Sequence, residues 1–175
     1  MHASELAEVV PTVTRRTTAL EAARVIAEHR LSGLIVADDA GIPVAVVPGT
    51  QVLKLFVPRY VREDASLAHV YDEAGADELC AALEDKTVAA LFDSDEIRIQ
   101  SLPSVLPEDT LVEIAAVMVD KHSPLVVVRD RAGSYSGAIT FSRAMAAIAA
   151  GAARRQPTTG TGGSDGSEGA EGAEA

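Results

Sequence analysis

The sequence predicts an α/β (α+β) protein made of two tandem β-α-β-β-α repeats and a disordered C-terminal tail. Three observations carry that expectation. Thr18 to Leu53 reads as a helix, a strand, a turn, a second strand and the start of another helix, and the same grammar returns about 92 residues later, from Thr110 to Met145. Identities at that shift fall on the punctuation as well as on the strands: Pro11/Pro103, Val13/Val105, Thr18/Thr110, Glu21/Glu113, Val36/Val128, Asp38/Asp130 and Gly41/Gly133. After Arg154-Arg155 the composition turns to Gly, Ser, Thr, Ala and Glu without apolar periodicity. A single unit of this size cannot close its own core well. Two copies should therefore pack face to face, with any function in the clefts between them.

In the first copy, His2 to Val10 reads as a short helix-like lead ending before Pro11, followed by a strand at Thr12-Val13-Thr14. Thr18-x-x-Glu21 is a capping box, in which the hydroxyl satisfies an early helix N–H and the Glu reaches back to the cap. Leu20, Ala23, Ile26 and Ala27 form the expected apolar stripe, and Ser32-Gly33 the end of the helix. Leu34 to Ala37 reads as an apolar strand, Asp38 to Gly41 as a turn and Val44 to Val47 as the return strand. Thr50 is the expected cap of a helix from Gln51 to Phe56, which Pro58 stops.

Residues 59–90 interrupt the repeat and predict two short helices, with Gly75 between them. Thr87 to Phe92 then leads into the second copy as the counterpart of Leu6 to Val10. There the strand at Pro103-Ser104-Val105, the capping box Thr110-x-x-Glu113 and the apolar face Ile114, Val117 and Met118 follow in order. Leu125 to Val128 is the next strand, Arg129 to Gly133 the turn and Ala138-Ile139-Thr140 the return, with Ser142 as cap of a helix ended by Gly151. The expected division is 1–58 and 91–151 for the two repeats, 59–90 for a helical insert and 152–175 for the acidic tail, which carries Asp165, Glu168, Glu171 and Glu174.

Composition narrows the function. A formal charge of −11 with 3% aromatics and no Trp argues against a nucleic-acid binder, which needs a basic surface and stacking platforms. One small phosphate-bearing ligand needs only one or two local cations and stays open. The start of the chain lacks a secretory pattern, and no stretch has the roughly 18 apolar residues of a membrane span. One cysteine, Cys80, excludes an internal disulfide, and the expected setting is the cytoplasm. His69-x-x-Asp72-Glu73 with Cys80 lacks a second cluster to complete a metal site, and Cys80, among Leu79, Ala81 and Ala82, reads as a buried structural thiol. Gly160-Thr161-Gly162-Gly163 precedes neither a Lys nor a helix and is no phosphate loop. No nucleophile or acid–base constellation argues for an enzyme.

The duplicated unit resembles a tandem pair of CBS domains, the regulatory Bateman module, over roughly residues 4–150 apart from the insert. The residues that carry the resemblance are Thr18-Ala19-Leu20-Glu21-Ala22, Ser32-Gly33-Leu34-Ile35-Val36 and Asp38 to Gly41 in the first copy. In the second they are Thr110 to Glu113, His122-Ser123-Pro124-Leu125-Val126, Asp130 to Gly133 and Gly137-Ala138-Ile139-Thr140. The resemblance implies halves related by a pseudo-twofold axis and a homodimer formed through helices, for which Ala144, Ala147 and Ile148 offer close approach. It also implies a regulated transporter or enzyme as partner.

It further implies an adenosine-containing ligand such as AMP, ATP or S-adenosylmethionine between the copies, with Thr14, Leu34, Ile35, Gln51, Ser123, Pro124, Leu125, Thr140 and Arg143 as the candidate site. The family's Thr-x-x-Asp motif sets a hydroxyl toward phosphate and a carboxylate on the ribose. Here the positions read Pro48-Gly49-Thr50-Gln51 and Thr140-Phe141-Ser142-Arg143, so the acid is missing from both. A hydrogen bond to a charged group contributes about 1.5–3 kcal/mol, so its loss weakens a nucleotide roughly tenfold to a hundredfold or more. In one reading Thr140 meets phosphate, Arg143 adds a cation and Gln51 bonds ribose. In the other, Gln51 and Arg143 are solvent-facing residues of a first helical turn and the protein is an interaction or scaffold module.

Overall fold

The computed structural model describes residues 1–93 and 102–154. In the first repeat, the one-turn helix α1 (Ala3–Leu6) precedes β1 (Thr12–Thr14), α2 (Ala19–His29), β2 (Gly33–Ala37), β3 (Pro43–Pro48) and α3 (Gly49–Phe56). The insert holds α4 (Arg59–Glu63), a 3-10 turn (Ala65–Val70) and α5 (Glu73–Ala81). The second repeat has α6 (Ala89–Phe92), β4 (Ser104–Val105), α7 (Leu111–Asp120), β5 (Leu125–Arg129), β6 (Tyr135–Thr140) and α8 (Phe141–Ala153). Each repeat builds a three-stranded sheet whose central strand pairs parallel with the first and antiparallel with the third. The expected mixed fold of two repeats is the observed one. The tail from residue 155 onward, with the Gly160 to Gly163 run, lies outside the described residues.

Strand alternation explains how the sheets are shared. A central strand covered on both faces reads as a continuous apolar run, and β2 is buried at every position. Leu34 and Val36 point to a helix-side core with Val13, Ala45, Val47, Val52 and Leu55. Ile35 points the other way and joins Val10, Leu125, Val127 and Ala138 in a core between the two sheets. In β5 the same alternation sends Val126 and Val128 to the second helix-side core, with Ile114, Met118 and Ile139. The face-to-face packing is thus written in odd and even positions of two strands.

The leading segments are exchanged. Ala3 and Leu6 of α1 are buried in the second repeat's core, whereas Val88 and Leu91 are buried in the first repeat's. The exchange is symmetric in detail. His2 bridges Thr110, the cap of α7, and Thr87 bridges Thr18, the cap of α2. The Ala3 N–H donates to the Asp109 carbonyl and the Val88 N–H to the Thr17 carbonyl, at 2.8 and 2.9 Å. Arg15 lies 4.5 Å over the Phe92 ring and closes the contact at α6. The counterpart of Ala89–Phe92 is therefore α1 itself, not Leu6 to Val10 as expected. Val9 is 95% exposed, so the lead is one helical turn followed by extended chain.

Several local expectations change. The Thr18 hydroxyl accepts from the Glu21 N–H, but of the two expected boxes the reciprocal pair of bonds is completed at Thr110 and Glu113 and not at Thr18 and Glu21. In α2 the fully buried positions are Ala19 and Ala22; the expected Leu20 and Ile26 pack half-buried against the same core, and of the expected stripe Ala27 is exposed. That helix ends at Arg30, held left-handed at φ 50°, and the equivalent His122 has φ 47°. Gly33 instead opens β2, where a Cβ would meet the Val47 carbonyl oxygen at 2.6 Å. Thr50 and Ser142 lie inside their helices, which are capped by Pro48 and Thr140. Gly151 does not end α8, and Gly75 lies inside α5. Ala144 and Ala147 are buried in their own repeat's core, so they are not a surface for a second chain. Cys80 is exposed, not buried.

Candidate functional site

Strand β6 runs directly into α8 at Thr140, whose extended backbone (φ −81°, ψ 156°) makes it the cap residue. Its hydroxyl accepts from the Arg143 N–H at 3.1 Å, satisfying one of the helix's free donors. That bond fixes Arg143 in the first turn, exposed and without an ion pair among the described residues. The same hydroxyl donates to Glu8 Oε1 at 3.2 Å.

Leu125 pairs with Thr140 across the sheet, and the Phe141 N–H donates to the Pro124 carbonyl at 2.9 Å. Ser123, 8% exposed, donates through its hydroxyl to the Leu125 carbonyl at 2.6 Å. Ser123, Pro124, Leu125, Thr140 and Arg143 are thus assembled where β5 begins and β6 ends. Of these five, Thr140, half-buried, and Arg143, exposed, offer polar side-chain groups at the surface, since the Ser123 hydroxyl belongs to a buried residue.

The first repeat repeats this geometry with different chemistry. Gly33 pairs with Pro48, and the Gly49 N–H donates to the Ser32 carbonyl at 2.8 Å. Pro48 has no hydroxyl to cap α3. Gln51, in the first turn, has a buried Oε1 without a hydrogen-bond partner among the described residues. Leu34 and Ile35 are wholly buried, their side chains spent on the cores. Thr14 is not brought to this group. It pairs with Ala37 at the other end of β2, and its hydroxyl lies 3.4 Å from that of Thr17.

A cavity of about 400 Å³ opens between the repeats, lined by Ser32, Pro48 and Thr50 from the first and by Met118, Val119, His122, Ser123, Pro124 and Phe141 from the second. A second, of about 460 Å³, lies within the second repeat at the far end of its sheet, around Ser104 to Leu106 and Arg129 to Gly133. There Asp130 is committed to the turn: the Ser134 N–H bonded to its carboxylate holds its pKa below the ordinary range. Among the described residues no three His, Cys, Asp or Glu side chains are grouped to hold a metal ion. None of the described helices is long and apolar enough to cross a membrane.

Sequence reasoning missed Glu8, Thr50, His122 and Phe141. The helical reading of residues 2–10 hides Glu8, and the signal that could have found it is its place three residues before Pro11. The extended approach to β1 brings it beside the other repeat's β6.

The family model of the CBS domain matches residues 3–58 and 95–150. A crystal structure of a CBS domain-containing protein of unknown function from Kribbella flavida DSM 17836 is 40% identical over 85% of this chain and 99% of its own, with a TM-score of 0.68. CBSX2, solved in complex with AMP, is 19% identical over 85% of this chain and 96% of its own, at a TM-score of 0.56. The CBS domain of a bacterial CNNM/CorC family Mg2+ transporter, solved with ATP, is 15% identical over 85% and 87%, at 0.57. A search of curated proteins finds no match. The repeated sheets, the exchanged leading helices and these matches together place the chain in the CBS-domain family, as a tandem CBS pair.

Proposed function

We propose that this chain is a stand-alone regulatory module that binds an adenosine-type nucleotide, of the AMP, ATP or S-adenosylmethionine class, between its repeats. The observation that carries this reading is the asymmetry of the two first turns. Thr140 and Arg143 present a hydroxyl and a guanidinium without an ion pair among the described residues at the start of α8, whereas Pro48 and Gln51 present neither group. An anionic group is favoured at the positive end of a helix dipole and beside a cation. The second repeat's motif, with Ser123 and Pro124 beside it, is therefore the site we assign, and Gln51's unpartnered oxygen marks a weaker one. The folds solved with AMP and with ATP support the ligand class for those proteins and, through the shared fold, this proposal.

A nucleotide there touches the second repeat directly and the first through the segment at Glu8. It acts by differential affinity for two arrangements of the repeats, which a partner transporter or enzyme reads. Arg143→Ala tests the site. Titration calorimetry should show AMP and ATP binding to the wild type and at least about tenfold weaker binding to the variant. Equal affinities remove Arg143 from the site. No binding of AMP, ATP or S-adenosylmethionine to the wild type favours the second reading, an interaction module. Phe141, Met145 and Ile148, exposed along one stripe of α8, favour that reading and a homodimer through this helix.

A further inference from the structure

We propose that Glu8, from the leading segment of the first repeat, is the ligand's hydroxyl-binding carboxylate at the second repeat's site. The inference rests on the nucleotide reading above and names a residue that the first turn of α8 does not itself contain. The backbone of Glu8 is fixed: its N–H and carbonyl each bond Ala138 at 2.9 Å, forming an antiparallel bridge at the edge of β6. Gly137 makes the approach possible, because a Cβ there would lie 2.9 Å from the Glu8 carbonyl oxygen. Val10, two residues on, is buried between the sheets and anchors the other end of the segment.

The Glu8 carboxylate therefore stands at Thr140, 3.2 Å from its hydroxyl, while remaining exposed. Among the described residues this is its only side-chain bond. An ionised carboxylate is acceptor-only, with room for several donors. What it recognises is a pair of neighbouring hydroxyls, and Arg143 in the same turn serves the anionic end of the same molecule. The ligand class is a ribose phosphate with its 2′- and 3′-hydroxyls free.

Titration calorimetry of the full chain with AMP and 2′-deoxy-AMP tests this, using the wild type, Glu8→Gln and Arg143→Ala. The Gln variant keeps both backbone bonds to Ala138, and an unchanged melting temperature verifies that it folds. Wild type should prefer AMP by about tenfold or more. Glu8→Gln should lose that preference by weakening AMP alone. Unchanged affinities in Glu8→Gln, or tighter binding of both ligands, would overturn the role of Glu8, the latter by showing a carboxylate that repels phosphate. If Arg143→Ala weakens AMP in that case, the nucleotide site stands without Glu8. A wild type that binds neither ligand overturns both.

Discussion

Glu8 and Ala138, 130 residues apart, exchange two backbone hydrogen bonds of 2.9 Å each. This pairing ties the chain's first segment to the last strand of the second repeat. It stands beside the exchange of α1 and α6 in making the halves interdependent. Neither repeat closes its core from its own sequence. Each borrows one turn of helix from the stretch that precedes the other.

The close approach at Gly137 predicts an ordering of two glycine substitutions. Both Gly137 and Gly133 have positive φ, 146° and 90°, so alanine at either is strained by about 1–3 kcal/mol. Around Gly133 nothing lies within 4 Å of where an alanine Cβ would sit, whereas at Gly137 that carbon meets the Glu8 carbonyl oxygen at 2.9 Å. Gly137→Ala should therefore lower the urea midpoint more than Gly133→Ala. Equal losses would mean that the leading segment yields freely.

The exchanged helices predict where damage appears. Leu6→Ala and Leu91→Ala each remove a buried Leu, at a cost of about 2–5 kcal/mol. Native-state hydrogen exchange should show Leu6→Ala loosening α7 and α8 in the second repeat, and Leu91→Ala loosening α2 and α3 in the first. Loss of protection in the variant's own repeat would contradict the exchange.

Acid should weaken the second repeat's cap. Thr110 donates to Glu113 through its N–H at 2.7 Å and its hydroxyl at 2.8 Å, and these bonds, the backbone one first, lower the Glu113 pKa below the ordinary carboxylate value. A carboxyl whose folded pKa is depressed stabilises the fold above its unfolded pKa, and the contribution is lost as pH falls through the folded one. Glu113→Gln should be less stable than wild type at neutral pH, with a difference that shrinks on acidification. Thermal unfolding from pH 7 to pH 3 measures it, and a difference that stays constant would remove the cap from the pH response.

The repeat was legible because its signals are local. Thr110-x-x-Glu113, the Asp38 to Gly41 turn and the apolar runs at Leu34 and Leu125 need only near neighbours to act. Asp38, for instance, accepts from the N–H groups of Ala40 and Ile42 in its own turn. The caps of α3 and α8 lie two residues before the expected ones, since Thr50 and Ser142 suit a cap by residue type but each helix starts directly at the end of its strand, at Pro48 and Thr140. Cys80 looks internal among Leu79, Ala81 and Ala82, yet α5 buries none of its residues. Local apolar company does not by itself decide burial.

The sequence by itself determined two homologous sheet-and-helix units, their order, their turns and the loss of the acid at Gln51 and Arg143. Side-chain periodicity and turn chemistry act over a few residues, so they can be read without a fold. The tertiary structure alone decided which leading helix serves which core, and that Glu8 meets Thr140. Those contacts join residues about 70 to 130 positions apart through strand register and steric fit at Gly137. No local pattern in the chain encodes such distances.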